Sequence, residues 1–358
     1  MCEPRRRLPR RAKPKRGDEM KSNRAKNSVL AKSVEFVFIT SVLLGMSLLP
    51  PVSAPPPQTP NYGPNGPYCA IKVPSGTVIF GRYSYKVPNG TKISWNPLIC
   101  PGDLVDIAPN IQGNIEWGQH ILNSGSTFTS LQSSWTVPNA PAHTEDAPTN
   151  FFWNGLISES GQWLMQPVLG WGCARYRNDT VSQCRVGGTY WWLSAILDDT
   201  STGIFYWQTP KNNVAGPITG TLTKSSSISQ CNPYTSGVGW YIQATDSSQG
   251  TSQLIFCDTS YYTRGYAAVF EAKGCTGGTD CSQSTGGISR CDNLANSPNI
   301  NFTSISSTPS SGVTWASTNG GLSPSCGWGM NPAFGSSTSS NSDPIRLRWN
   351  PACSSPPC

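Results

Sequence analysis

A carboxylate and a carboxamide about a hundred residues apart are the side chains in this sequence best suited to chemistry. Glu271 closes the run Tyr266-Ala267-Ala268-Val269-Phe270-Glu271, and Gln166 follows the aromatic segment Phe152-Trp153-Asn154-Gly155-Leu156. A positioned carboxylate takes a proton from water. A neutral amide N–H stabilises the oxyanion that forms when such a water adds to a peptide carbonyl. The reference glutamate pKa of about 4.3 suits a base that must also reprotonate a leaving amine in acidic medium.

Other hydrolytic chemistries lack their parts. A serine nucleophile needs an adjacent base, and the chain offers only His120 and His143, with no Gly-x-Ser-x-Gly turn. Metal-assisted hydrolysis is disfavoured by the absence of His-Glu-x-x-His and Cys-x-x-Cys spacings. No glycine-rich phosphate loop leads from a strand into a helix. The expectation is an activity without metal or cofactor. A paired-carboxylate alternative, Glu159 with Glu271, is the arrangement of a glycosidase and requires a separation of about 5–9 Å.

The elements that must position these groups read as strands. From Gly113 onward, apolar and polar residues alternate over short spans broken by Gly, Ser, Asn and Pro clusters. Trp240 to Thr245 and Ser252 to Phe256 form a candidate hairpin across Asp246 to Gly250, and late strands are expected at Ile300–Ile305 and Ile345–Trp349. No long segment keeps helical periodicity. The pattern predicts an all-β fold, a two-sheet antiparallel β-sandwich of jelly-roll or concanavalin-like type. With 37% hydrophobic and 13% charged residues, the 358-residue chain can bury a large core.

The formal charge of +7 is concentrated at one end, because residues 1–32 hold 12 of the 26 Lys and Arg. From Pro55 onward, 14 basic residues face 15 acidic ones, so nucleic acid is not an expected partner. The basic stretch leads into an apolar run, Phe36 to Leu49, and the small residues Val52-Ser53-Ala54, the pattern of a secretory signal. A membrane association is expected only if that signal stays uncleaved. Twelve cysteines beyond Cys2 suit disulfides and a secreted, extracellular location. Asn89, Asn178 and Asn301 are glycosylation acceptors. The organisation expected is a basic leader and signal over 1–54, a Pro-rich linker over 55–67, a small N-terminal segment or propeptide over 68–110, and a monomeric sandwich domain over 111–358.

Several segments, taken together, resemble the glutamic peptidases of the eqolisin family, secreted endopeptidases that act in acid on a β-sandwich. The resemblance runs from about Asn114 to Trp349. It is carried by Asn114-Ile115-Glu116-Trp117-Gly118-Gln119-His120-Ile121-Leu122, by Phe128 to Pro138, and by Trp153-Asn154-Gly155-Leu156-Ile157 followed by Gln162 to Gln166. Tyr190-Trp191-Trp192 and the Ala-x-x-x-Glu end of Tyr266–Glu271 complete it. It implies a polypeptide substrate, Glu271 as general base, Gln166 as oxyanion stabiliser with Gln162 as the fallback, and a Cys275–Cys281 disulfide loop. Trp117, Trp153 and Trp191 are candidate walls of the substrate cleft, with ordinary core packing as the alternative. Two acids usual in the family are replaced, one by Ala267 and one at Trp192 or Leu193. The alternative function is therefore a non-catalytic or carbohydrate-binding extracellular β-sandwich protein.

Overall fold

The computed structural model describes residues 68–105, 114–122, 126–144, 149–174, 186–273, 291–310, 313–319, 329–331 and 344–352. These form an all-β sandwich. In spatial order the first sheet is β18 (Val313–Asn319), β6 (Asn114–Leu122), β16 (Arg264–Lys273), β8 (Thr149–Ile157), β9 (Trp163–Ala174), β10 (Val186–Asp199), β11 (Ile204–Gln208), β1 (Tyr68–Val73) and β5 (Asp103–Val105), with β12 (Lys211–Asn212) beside β10. The second sheet runs β19 (Gly329–Asn331), β20 (Ile345–Arg348), β17 (Asn299–Thr308), β7 (Ser130–Thr136), β13 (Pro217–Ser225), β14 (Gly239–Asp246), β15 (Gly250–Phe256), β2 (Thr77–Ile79), β3 (Ser84–Lys86) and β4 (Lys92–Ser94).

Alternation builds the second sheet as the sequence suggests. In β7 every second residue is buried, so Leu131, Ser133 and Trp135 point inward, and β13 buries Ile218, Gly220 and Leu222 in the same way. The hairpin of β14 and β15 pairs Trp240 with Phe256 and Thr245 with Thr251. Between the sheets, Trp135 and Phe302 lie 4.9 Å apart by ring centroid, and Phe152 stacks on Phe270 at 4.5 Å. Further along, Met165, Leu197 and Tyr206 meet Leu222, Trp240 and Phe256. Each such side chain contributes on the order of 1.5–3 kcal/mol through burial.

The sandwich departs from a purely antiparallel plan at one margin. Residues 68–105 do not stand apart from the sheets: β1 joins β11 in parallel, and β2 joins β15 in parallel. Ile71, Val73 and Ile79 pack into the shared core. A disulfide closes this segment between Cys69 and Cys100, and the Arg82 guanidinium pairs with Asp199 of β10, which is fully buried. A second disulfide joins Cys231 to Cys257, and Cys291 is also disulfide-bonded. The expected Cys275–Cys281 pair, the leader, the linker and Asn178 lie outside the described residues. Among the described residues no helix is long and apolar enough to cross a membrane.

Asp246 ties the β14–β15 turn to the approach to β13. Its carboxylate accepts from the backbone N–H groups of Ser248 and Gln249 at 2.6 and 2.9 Å and from those of Ala215 and Gly216 at 3.2 and 3.1 Å. Burial alone would raise its pKa, but these bonds and that of the Ser248 hydroxyl outweigh it and hold the carboxyl below its ordinary value. A depressed folded-state value contributes stability above the ordinary carboxylate range, and that stability is lost as pH falls through the depressed value. Asp246→Asn is therefore expected to lower stability by roughly 1–3 kcal/mol near neutral pH. In thermal melts the gap from wild type should narrow as pH falls below about 4.

Candidate active site

Three central strands of the first sheet bury residues on both faces. β8 is buried from Thr149 to Leu156, β10 from Trp191 to Leu197, and β11 throughout. A strand with no polar face must be covered on both sides. One face meets the inter-sheet core. The other carries a separate cluster that includes Phe151, Trp153, Trp192, Phe205 and Trp207. Gly170 on β9 makes room for it, since a Cβ there would collide with the Trp192 ring.

A cleft opens in this outer cluster, and its polar lining is Gln166, Asp198 and Glu271. Its cavity volume is about 40 Å³. A single water needs roughly 10–15 Å³ of such space, so a few fit. Glu271 is 6% exposed, and its Oε2 accepts from Trp153 Nε1–H at 3.0 Å. That donor fixes one carboxylate oxygen against the cleft floor. Gln166 is 8% exposed, and among the described residues its amide takes no hydrogen-bond partner. Pro167 beside it has no N–H, so the β8–β9 ladder is interrupted between the Trp153↔Val168 and Leu156↔Met165 pairs.

Register defines how the two groups face each other. Glu271 lies opposite Phe151, which lies opposite Gly170; Gln166 is four residues along β9 from Gly170. Two strand spacings and four residues amount to roughly 16 Å between Cα atoms on an untwisted sheet. Trp153, paired with Val269 and Val168, occupies the row between. Both side chains line the same cleft, on the same face of the sheet.

The tryptophans separate by parity. Trp153 is in the cleft. Trp191 is turned the opposite way: it packs on Trp171 at 5.4 Å and Phe152 at 5.9 Å in the inter-sheet core, so it is a core residue and not a cleft wall. Its neighbour Trp192 faces outward. Trp117 lies on β6, opposite Val269 of β16, and its side chain is outside the described residues. Glu159 is exposed on the turn between β8 and β9, where its N–H donates to the Tyr261 carbonyl at 2.8 Å, and it does not line the cleft. Gln162 sits just before β9, also outside the lining. The second carboxylate of the cleft is Asp198, which sequence reading missed; the alternation Trp192, Ser194, Ile196, Asp198 along β10 was the signal for it.

Asn89 and Asn301 are exposed, the first in the β3–β4 turn and the second on β17. His143, half-buried, is tied by its backbone N–H to Asp292 O at 3.1 Å. Among the described residues no group of three or more His, Cys, Asp or Glu is placed to hold a metal ion.

No protein-family model matches the chain, and no curated protein matches it. Solved structures similar to it include two of scytalido-glutamic peptidase, each with a transition-state analogue, at 13% and 11% identity and TM-scores of 0.33 and 0.34. A third is SCP-B, a member of the eqolisin family, in complex with the tripeptide Ala-Ile-His, at 12% identity and a TM-score of 0.36. Each covers 66% of this chain and 98% of its own. At that level of likeness neither family nor activity follows, and the chain's own residues must carry the functional reading.

The Trp153–Glu271 bond makes a stability prediction that needs no activity. Glu271→Ala strands a buried indole N–H and is expected to cost about 1–3 kcal/mol, while Glu271→Gln keeps an acceptor in place and stays near wild type. Urea denaturation midpoints of the two variants check this.

Proposed function

We propose that this protein is an acid endopeptidase in which Glu271 is the general base and Gln166 the oxyanion stabiliser. The observation that carries the reading is the convergence of these two residues, from strands distant in sequence, on one cleft with space for water. Glu271 takes a proton from that water as its oxygen bonds to the scissile carbonyl carbon. The carbonyl oxygen becomes an oxyanion and accepts the Gln166 amide N–H. The protonated Glu271 then passes its proton to the leaving nitrogen as the C–N bond breaks, releasing a carboxylic acid and an amine. Trp153 holds the base in place through this cycle. Secretion, the Cys275–Cys281 loop and a Trp117 wall belong to the same reading.

The carbohydrate-binding alternative is disfavoured by exposure. Sugar-binding aromatics present a ring face to solvent, whereas Trp153, Trp192 and Trp207 are 2%, 0% and 3% exposed. The glycosidase pairing loses its partner, since Glu159 is on an exposed turn.

Incubated with a denatured protein across acidic pH, the purified protein is expected to cleave below about pH 5. Glu271→Gln should abolish cleavage without lowering the melting temperature, and Gln166→Ala should reduce kcat by about 10²–10³. Cleavage that survives Glu271→Gln would sink the mechanism.

A further inference from the structure

Glu271 faces the cleft because its strand carries one extra residue. Along an uninterrupted strand the side chains alternate, so Tyr266, turned outward onto the Trp153 ring, would be followed by Ala268 and Phe270 outward and by Glu271 in the inter-sheet core. The structure shows the reverse. Ala267 and Ala268 both point into the inter-sheet core, and beyond them Val269 joins the outer cluster, Phe270 the core and Glu271 the cleft. Both ladders register the insertion: β8 pairs Gly155 with Tyr266 but Trp153 with Val269, and β6 pairs Gln119 with Tyr266 but Gly118 with Ala268. This is a β-bulge, which re-aims the side chains beyond it.

A bulge leaves a backbone group outside the ladder, and Ala267 is paired with neither β6 nor β8. Its carbonyl accepts the hydroxyl of Ser133 on β7 at 2.6 Å, a bond from the opposite sheet between two fully buried residues. Small residues make the space for it. Ser133 lies opposite Gly220 of β13, where a Cβ would collide with Asn154 Oδ1, and the Asn154 amide donates to the Gly220 carbonyl at 3.1 Å. Asn154 is the β8 residue that faces the bulge, between Trp153 and Gly155. We propose that Ser133 is a positioning residue that fixes the β16 bulge and thereby aims Glu271 into the cleft against the Trp153 indole. In a straight β16 the Ala267 carbonyl would belong to a ladder, so the hydroxyl from β7 stabilises the bulged register by satisfying a buried acceptor that only the bulge releases. Ser133 does not line the cleft and acts through the bulge alone. Its role in aiming Glu271 stands on this geometry; the consequence for turnover rests on the peptidase reading.

The test reads the Trp153 indole N–H in the nitrogen–proton correlation spectrum of the tryptophan side chains. Its signal is assigned with Trp153→Phe, and its position without the carboxylate is fixed with Glu271→Ala. In Ser133→Ala the Trp153 signal is expected to move toward its place in Glu271→Ala and to exchange faster with solvent, while the Trp240 signal, from a different part of the core, stays where it is. Ser133→Thr keeps the hydroxyl and should restore the wild-type position, whereas Ser133→Val, of similar shape but without the hydroxyl, should not. Against a denatured protein in acid, Ser133→Ala is expected to lose about 10–10²-fold in kcat with KM close to wild type. Moved signals support the aiming role even if wild type cleaves nothing or kcat does not change, outcomes that remove only the peptidase reading. A Trp153 signal unmoved in folded Ser133→Ala or Ser133→Val overturns the proposal whatever the activity. It is also overturned if both variants fail to fold while Ser133→Thr matches wild type, because the hydroxyl then serves the fold as a whole.

Discussion

The hydrogen bond from the Trp153 indole to the Glu271 carboxylate joins neighbouring strands across the floor of the cleft. Burying a carboxylate is costly unless donors compensate its lost water. The donor here is itself locked, because the Trp153 ring packs on Tyr266 at 5.5 Å and is nearly excluded from solvent. A carboxylate held this way keeps one orientation. Its position relative to Gln166 is then a property of strand register rather than of loop conformation, which is a stiff support for two groups on one cleft.

That arrangement requires a sheet covered on both faces. The inter-sheet core covers one, and the outer aromatic cluster covers the other, so the central strands carry almost no polar face. Residues 68–105 take part in the same construction. β1 lengthens the cleft-bearing sheet beyond β11 and contributes Ala70 to the outer cluster, while β2 to β4 lengthen the opposing sheet. Removing them would uncover backbone N–H and C=O groups along β11 and β15 at once. The segment is thereby part of the folded body that frames the cleft.

Much of the second sheet was legible in the sequence. β14 and the strands around Phe302 and Leu347 alternate over most of their length, and alternation states both the element and the face. The cleft-bearing sheet was harder for a physical reason: strands buried on both sides are apolar at most positions on either face, so parity says little about which side holds the site. Trp191 and Trp192 show the consequence. A register shift between Gly188 and Trp191 sets which indole turns outward, and no composition rule reveals it. Asp198 and Asp199 are adjacent acids at a strand end, and only the fold shows that Asp199 turns to Arg82 while Asp198 lines the cleft.

By itself the sequence determined the class of fold and the two chemical groups, because residue type, short-range alternation and turn chemistry are local properties. It also carried Glu271 and Gln166 as candidates, through their types and the aromatic runs beside them. Only the tertiary structure decided that both line one cleft, that Trp153 stands between them as donor to the Glu271 carboxylate, that Trp191 belongs to the core, and that Asp198 faces the same space. Those facts depend on register between strands far apart in the chain, and register is set by the packing of both sheet faces at once.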